Sequence, residues 1–196
     1  MKILIYSFDR FQNLESNPAY EVGKEIFKKF NSKDVDLIQL PVTYNCWEML
    51  KNKIMEFRPD FILGIGVAVG INSVKLEKIG LNYKHAEIPD NEDKKIILEK
   101  IDDSKNLSYE TSIDVLNFAS KLKENGIPAE ISFSAGTYVC NYTYYNCLQY
   151  LANTDAKILF IHVPVSPKEA ITLNTSVACF PTDLIANGLF KILKAL

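Results

Sequence analysis

Apolar and polar positions along the chain alternate in a way that predicts strands and helices in turn. Residues 2–7 form a short apolar run, whereas apolar side chains beyond Pro18 recur at helical spacing. Asn17 followed by Pro18 is typical of a helix start, because proline is favoured at the first helical position. The pattern predicts strands over 2–7, 35–42, 61–68, 129–134 and 157–165, and helices from Pro18 onward and over 45–57, 111–124, 140–152 and 181–195.

The order of these elements predicts the fold class. Residues 61–68 are apolar almost throughout, as expected of a strand that is covered on both faces. Residues 70–106 show no clear period, so we expect either a hairpin or a long excursion over the functional site there. The alternation favours an α/β fold: a three-layer α/β/α sandwich with a mixed, largely parallel central sheet, in one domain over 1–196.

Composition and charge narrow the class of partner. The chain has 196 residues and a formal net charge of −2, from 22 basic and 24 acidic residues. It carries no basic block, which argues against a nucleic-acid partner. The apolar stretch 61–71 is interrupted by glycines and is shorter than the ~20 residues that span a bilayer, so we expect no membrane partner. Because the N-terminal run is too short for a signal peptide, we expect a cytoplasmic protein.

The few cysteines and histidines limit the chemistry. The chain has 4 Cys and 2 His, and the cysteines lack the paired spacing of zinc sites, so we expect no metal site. Cys140 follows a strand and a turn that contains Gly136, and it lies near the start of a predicted helix. The helix dipole favours an anion there, which suits a nucleophilic thiolate. The alternative is that Cys140 is a small buried hydrophobic residue.

Two further residues could complete a catalytic group with Cys140. His162 lies in an apolar strand after the Cys140 helix, so a Cys–His pair is geometrically plausible; the alternative is a core histidine with its polar partners satisfied. Glu77 follows the buried strand and its glycines and is a candidate for orienting the imidazole, the alternative being a surface glutamate. His85 lies in a polar, turn-like stretch, and we expect it to be exposed.

Several motifs occur in the order found in one known family. The chain resembles the pyroglutamyl peptidases I, also called pyrrolidone carboxyl peptidases, along essentially its whole length. Residues 134–141 are similar to the nucleophile motif of that family, and residues 160–164 are similar to its histidine motif. The remaining matches are Phe8-x-x-Phe11 with Asn17-Pro18, the glycine-rich strand end 64–70, the glutamate segment 76–77 and the turn 88–91.

The resemblance implies an activity and a role for each matching residue. It implies a cysteine peptidase that removes an N-terminal pyroglutamyl residue from a peptide with a blocked N-terminus, without metal or cofactor. Cys140 would be the nucleophile, His162 the general base and then acid, and Glu77 the residue that orients the imidazole. Four residues match the positions of an apolar slot for the pyrrolidone ring, although plain core packing would also explain the two phenylalanines: Phe8, Phe11, Tyr138 and Val139.

Three departures from the family pattern leave other functions open. Val67 and Ile71 replace the polar Gln and Arg of the glycine-rich segment, and Glu87 replaces an Arg that precedes the turn. One alternative is therefore a related cysteine hydrolase with a changed N-terminal or acyl-amide substrate. Another is a non-catalytic binding or assembly protein on the same fold.

The resemblance also implies a homo-oligomer, either a dimer or a tetramer. The aromatic run Tyr142, Tyr144 and Tyr145 and the apolar C-terminal helix could supply the interface. Core packing of the same residues is the alternative.

Overall fold

A computed structural model describes residues 1–10, 16–173 and 176–196 and places a six-stranded sheet between two layers of helices. The strands are β1 (Ile3–Phe8), β2 (Val35–Leu40), β3 (Phe61–Val67), β4 (Val74–Glu77), β5 (Ile79–Leu81), β6 (Ser108–Glu110), β7 (Ala129–Ser132) and β8 (Lys157–Val163). The helices are α1 (Pro18–Phe30), α2 (Cys46–Phe57), α3 (Val115–Glu124), α4 (Val139–Leu151), α5 (Pro167–Leu173) and α6 (Thr182–Lys194).

The strand order of the large sheet is β2-β1-β3-β8-β4-β7. The first four strands run parallel to one another. Strand β4 runs antiparallel to β8 and parallel to β7. This arrangement confirms the expected three-layer α/β class with a mixed, largely parallel sheet. Strands β5 and β6 form a separate antiparallel pair.

Alternation along the strands divides the core into two faces. In β3, Phe61, Leu63 and Ile65 join an aliphatic cluster under α1, α3 and α6. We call this side the aliphatic face. Ile62, between them, joins a cluster of aromatic and thiol side chains under α2 and α4. We call this side the aromatic face. Residues of β1 and β8 alternate between the two clusters in the same way.

The region without clear periodicity contains a strand of the main sheet. Residues 70–106 were expected to hold a hairpin or an excursion, but β4 lies inside this stretch and pairs with both β8 and β7. The small β5–β6 pair joins the stretch to residues 108–110, and it is the hairpin-like part. A four-residue strand is too short to give a periodic signal of its own.

One helix start and one whole helix also differ from the sequence prediction. The helix predicted over 111–124 begins at Val115, because the Asp114 side chain caps it by accepting from the backbone N–H of Asn117 at 3.0 Å. The Thr111 hydroxyl instead donates to the carbonyl of Ile158. Helix α5 was not predicted. The start of α1 was predicted correctly: Asn17 caps it by accepting from the N–H of Ala19 at 3.0 Å.

Candidate active site

Cys140 is the second residue of α4. The N-cap residue Tyr138 has an extended backbone and no side-chain cap bond to the helix, and its hydroxyl donates to the carbonyl of Pro89 at 2.9 Å. Backbone N–H groups in the first turn of a helix have no intrahelical acceptor, so they and the helix dipole favour negative charge. Cys140 therefore occupies a position that stabilises a thiolate.

The chain reaches Cys140 through a strand and a turn, as the sequence predicts. Strand β7 runs opposite to β8, so its carboxyl end points away from the end of β8. Residues 133–138 turn back to bring α4 to the site. Gly136 has φ +77° in this connection, a conformation that side chains other than glycine rarely adopt.

Glu77 and His162 form a buried pair across the β4–β8 junction. The Nδ1 atom of His162 lies 2.8 Å from Oε1 of Glu77, and the two side chains are 12% and 1% exposed. The backbone carbonyl of Glu77 accepts from the hydroxyl of Tyr144 at 2.7 Å. The second oxygen, Oε2, has no hydrogen-bond partner among the described residues. The carboxylate is thus placed to orient the imidazole ring and to accept a hydrogen bond from the proton on Nδ1, in a position shielded from solvent.

Gly66 leaves the space in which the thiol and the imidazole meet. A Cβ atom on Gly66 would lie 3.0 Å from Cδ2 of His162 and 3.1 Å from Sγ of Cys140. It would also lie 2.9 Å from the ring of Phe160. The two reactive side chains therefore flank one point above β3, and any larger residue would push them apart.

The surroundings of His162 favour its charged form. Burial alone lowers the pKa of His162. The hydrogen bonds and charges of Cys140 and Glu77 together outweigh that effect and raise the pKa to about 9. A thiol and a carboxylate beside the ring therefore both favour the imidazolium form. This arrangement can supply a thiolate nucleophile and a proton donor at the same time.

The other thiols are in different environments. Burial raises the pKa of Cys46 to about 12, and burial raises the pKa of Cys147 well above its ordinary value. Both thiols are therefore protonated and enclosed by apolar side chains. Cys179 is exposed, and all four cysteines carry free thiols. Of the four, Cys140 is the one beside an imidazole.

A small cavity of about 90 Å³ opens beside the Cys140 thiol. Three of the four residues predicted for a substrate slot border it: Phe8, Tyr138 and Val139. The fourth, Phe11, lies outside the described residues. The cavity is otherwise bordered by Asn17, Val42, Val67 and Cys140.

Sequence reasoning did not assign Val42 or Asn17 to the site. Val42 follows β2 and Asn17 starts α1, and both border the cavity. The signal that could have identified them is topological, because the carboxyl ends of neighbouring parallel strands meet at one edge of the sheet. The strand order is needed to use that signal.

The three departures from the family pattern lie in different places. Val67, at the end of β3, borders the cavity and presents an apolar wall there. Ile71 is half-buried. Glu87 is exposed and forms an ion pair with Lys95 at 2.9 Å, which lowers the pKa of its carboxyl. The negative charge of Glu87 is thus screened by solvent and balanced by a neighbouring lysine.

Two expectations about surface residues are wrong. His85 is half-buried, not exposed; its Nδ1 accepts from the N–H of Leu98 at 3.3 Å, and its backbone pairs with Thr137. Tyr144 and Tyr145 are completely buried, so core packing is the correct alternative for them and they cannot form an interface. Bulky side chains on every face of α4 are explained by its position between the sheet and neighbouring elements.

Neither a metal cluster nor a membrane-spanning helix is present in the described part of the chain. No group of three or more His, Cys, Asp or Glu side chains is arranged to hold a metal ion within residues 1–10, 16–173 and 176–196. None of the described helices is long and apolar enough to cross a membrane.

Comparisons with known proteins agree on one family. The family model described as pyroglutamyl peptidase matches residues 1–195. A pyrrolidone-carboxylate peptidase from Aliivibrio fischeri (strain MJ11) is 34% identical over 190 residues, which is 96% of this chain and 89% of that protein. The pyroglutamyl peptidase I of Bacillus amyloliquefaciens superimposes with a TM-score of 0.90 at 28% identity, over 96% of this chain and 93% of the other. A mutant pyrrolidone carboxyl peptidase from P. furiosus superimposes with a TM-score of 0.90 at 30% identity. The match covers 100% of this chain and 97% of the other.

Proposed function

The chain belongs to the pyroglutamyl peptidase family, and on that premise we propose that Cys140, His162 and Glu77 are its catalytic triad. The protein is a cysteine-type exopeptidase that removes an N-terminal pyroglutamyl residue from peptides. The observation that carries the proposal is the pair of contacts around one imidazole. Oε1 of Glu77 lies 2.8 Å from Nδ1 of His162, and Cδ2 of the same ring and Sγ of Cys140 lie 3.0 and 3.1 Å from the point that a Cβ atom on Gly66 would occupy.

In the first half of the reaction, the Cys140 thiolate attacks the carbonyl carbon of the pyroglutamyl residue. The developing oxyanion is stabilised by backbone N–H groups in the first turn of α4, which have no intrahelical acceptor. The tetrahedral intermediate collapses when the C–N bond breaks. The His162 imidazolium gives its proton to the departing amine, so the peptide leaves neutral and a thioester remains on Cys140.

In the second half, the neutral His162 imidazole accepts a proton from water as the water attacks the thioester carbonyl. The C–S bond then breaks, free pyroglutamate leaves, and the thiolate–imidazolium pair is restored. Glu77 holds the ring in one orientation during both halves and stabilises its positive charge. Neither half requires a metal or a cofactor.

The cavity beside Cys140 suits the ring of the substrate. A pyrrolidone is flat, neutral and mostly apolar, and Phe8, Val42, Val67, Tyr138 and Val139 provide apolar or aromatic walls. We assign the binding of that ring to this cavity, with Phe8, Tyr138 and Val139 as its contacts. Phe11 is proposed for the same role from its position in the sequence motif.

The experiment that tests the triad is hydrolysis of a fluorogenic pyroglutamyl amide. The wild-type protein should release the amine, and Cys140→Ala should lose all but background activity while keeping the wild-type unfolding midpoint. Cys179→Ala is the matched control, because it removes an exposed thiol and should leave turnover unchanged. Equal turnover by Cys140→Ala would contradict the proposal. A panel of other N-acyl amides tests the alternative of a changed substrate, which strong preference for pyroglutamate would eliminate.

We also propose that residues 1–196 act as one catalytic domain, that the protein is cytoplasmic and that it forms a dimer or tetramer. The match of the family model over 1–195 supports the first of these. Free thiols at all four cysteines are compatible with a reducing compartment. A monomer mass by light scattering at working concentration would contradict the oligomer.

A further inference from the structure

A buried carboxylate outside the triad joins Ser16, next to a residue of the cavity, to Ser166 in the loop after β8. Glu169, on α5, is only 2% exposed. Its Oε1 atom accepts a hydrogen bond from the Ser16 hydroxyl at 2.5 Å, and its Oε2 atom accepts one from the Ser166 hydroxyl. Burying a carboxylate is costly unless hydrogen bonds replace its lost water. Here each oxygen takes its hydrogen bond from a different segment of the chain, so the carboxylate links the two segments.

The Ser16 end of this link leads to the substrate cavity. Ser16 directly precedes Asn17, which borders the cavity. The Asn17 amide donates from Nδ2 to the carbonyl of Asp9 at 2.9 Å, and its Oδ1 caps α1. Asp9 in turn follows Phe8, another residue of the cavity wall. The position of Ser16 therefore sets where two parts of that wall lie.

The Ser166 end of the link leads to the catalytic histidine. Ser166 follows β8, the strand that carries His162. Between them, Val165 is fully buried, and its carbonyl accepts from the N–H of Phe180 at 3.0 Å. The Ser166 hydroxyl oxygen also accepts from the N–H of Glu169 at 3.3 Å, which caps the first turn of α5. This end is thus firmly joined to the sheet.

We propose that Glu169 is a positioning residue for the peptidase reaction: it ties Ser16, which precedes the cavity residue Asn17, to the loop after β8, which follows His162. The inference rests on the proposed function of the site. Glu169 does not touch the reacting atoms. It holds the wall at the distance from Cys140 at which a bound pyroglutamyl ring presents its carbonyl to the thiolate. Small displacements of a bound substrate slow a reaction severely. A link that prevents such displacements therefore gives a functional reason for burying a carboxylate despite its desolvation cost.

Losing the link should weaken substrate binding more than chemistry, because the triad residues lie on β4, β8 and α4 and do not depend on Ser16. For Ser16→Ala and Glu169→Gln we expect KM for a pyroglutamyl amide to rise about tenfold, with kcat changed less than about threefold. Ser16→Thr restores a hydroxyl and should return KM to near the wild-type value. The double variant should resemble either single variant, since both remove the same link.

Glu25→Gln is the matched control. Glu25 borders the same surface depression as Ser16 and Glu169, but its side chain is 40% exposed and pairs with Lys28 on its own helix. It should leave KM and kcat unchanged. A KM that stays at the wild-type value in both Ser16→Ala and Glu169→Gln would overturn the proposal. The proposal would also be overturned if KM rose as much in Glu25→Gln as in Ser16→Ala and Glu169→Gln.

Hydrogen exchange separates failure of this inference from failure of the proposed function. In Ser16→Ala the amide of Ala19, which is bonded to Asn17, should exchange at least about tenfold faster than in the wild type. Alkylation of Cys140 by iodoacetamide should proceed at the wild-type rate. If the wild-type protein hydrolyses no pyroglutamyl amide, the triad proposal fails, and the exchange result still decides whether the link exists. Unchanged exchange at Ala19 would overturn the link itself.

Discussion

The two faces of the central sheet are built from the same strands but from different side chains. On the aliphatic face, residues such as Ile5, Ile161 and Leu189 pack without any polar atom in their side chains. On the aromatic face, the ring of Phe160 lies 5.9 Å from that of Tyr6, 5.6 Å from that of Tyr144 and 5.1 Å from the imidazole of His162. Phe160 thus packs both against aromatic rings of the core and against the imidazole of the proposed catalytic base.

The faces also differ in how many of their buried polar atoms lack a hydrogen-bond partner. Among the described residues, the Tyr6 and Tyr44 hydroxyls and Oε2 of Glu77 lack a partner on the aromatic side, whereas the Ser7 hydroxyl, which alternates with Tyr6 along β1, lacks one on the aliphatic side. Unpaired buried polar atoms cost stability. The aliphatic face supplies the hydrophobic stabilisation that offsets this cost, whereas the aromatic face holds the reactive groups away from water. Substitutions on the two faces should therefore have separable effects on stability and on activity.

The largest expected effect is that of Glu77→Gln on the aromatic face. An amide cannot hold the charged imidazole as a carboxylate does, and loss of the orienting carboxylate in a comparable triad costs about 10⁴ in kcat. We expect a fall of that order in turnover of a pyroglutamyl amide, with an unfolding midpoint close to that of the wild type. A fall of less than tenfold would mean that Glu77 does not orient His162.

The matching test on the aliphatic face is Leu189→Ala. Leu189 is fully buried in α6, so its truncation should lower the free energy of unfolding by about 2–5 kcal/mol. Because Leu189 is not among the residues that border the cavity, kcat and KM should stay at wild-type values below the unfolding transition. Denaturant unfolding and steady-state kinetics measure the two quantities. An activity loss in the folded variant would show that the faces are not separable.

Gly66→Ala tests the point at which the two groups meet. The new methyl group would lie about 3 Å from both His162 and Cys140, so these side chains must shift. We expect kcat to fall about 10²-fold. Gly64→Ala is the control on the same strand: its Cβ would meet Tyr6 and Phe160 at 2.4 Å, so its main effect should be a lower free energy of unfolding. Equal kinetics in the wild type and Gly66→Ala would contradict the proposed geometry.

The smallest predicted effect is a pH dependence. The pKa of His162 is raised to about 9 by Cys140 and Glu77 against the effect of burial. The stability that comes from charging His162 is therefore complete below its ordinary pKa of about 6.5 and is lost as pH rises through about 9. The proton for the leaving amine is lost over the same range, so kcat should fall up to tenfold per pH unit above pH 9. The free energy of unfolding should therefore change less between about pH 6.5 and about pH 9 in His162→Gln than in the wild type. An equal change in the two proteins would contradict this assignment.

Much of the fold and the centre of the site could be predicted from the sequence. Strand periodicity identified β1, β3 and β8, and the turn before Cys140 marked the start of α4. Strand β4 was missed because its apolar–polar alternation is only four residues long. Because polar and apolar residues alternate in β4, the sequence by itself suggests that Glu77 faces solvent. The elements that bury Glu77, α4 and β8, are distant from it in sequence. The resemblance to the family, rather than periodicity, indicated Glu77.

Other features depend on contacts that no local pattern encodes. The link from Ser16 through Glu169 to Ser166 joins residues more than a hundred positions apart, and Glu169 by itself looks like an ordinary surface residue on a short helix. The reversed direction of β7 also could not be predicted, because local periodicity is the same for parallel and antiparallel strands. Sequence reasoning thus named the three residues of the proposed triad, which the structure brings together, and missed the contacts of Glu169.

The central claim is that Cys140 carries the acyl group, and the most direct test is to trap that intermediate. The protein is mixed with excess pyroglutamyl amide, quenched in acid during steady-state turnover and digested for mass spectrometry. The account predicts one pyroglutamyl group on the peptide that contains Cys140, and none in Cys140→Ala. The account would be contradicted if hydrolysis continued while the acyl group was found on another residue. It would also be contradicted if no cysteine carried an acyl group under conditions where deacylation is rate-limiting.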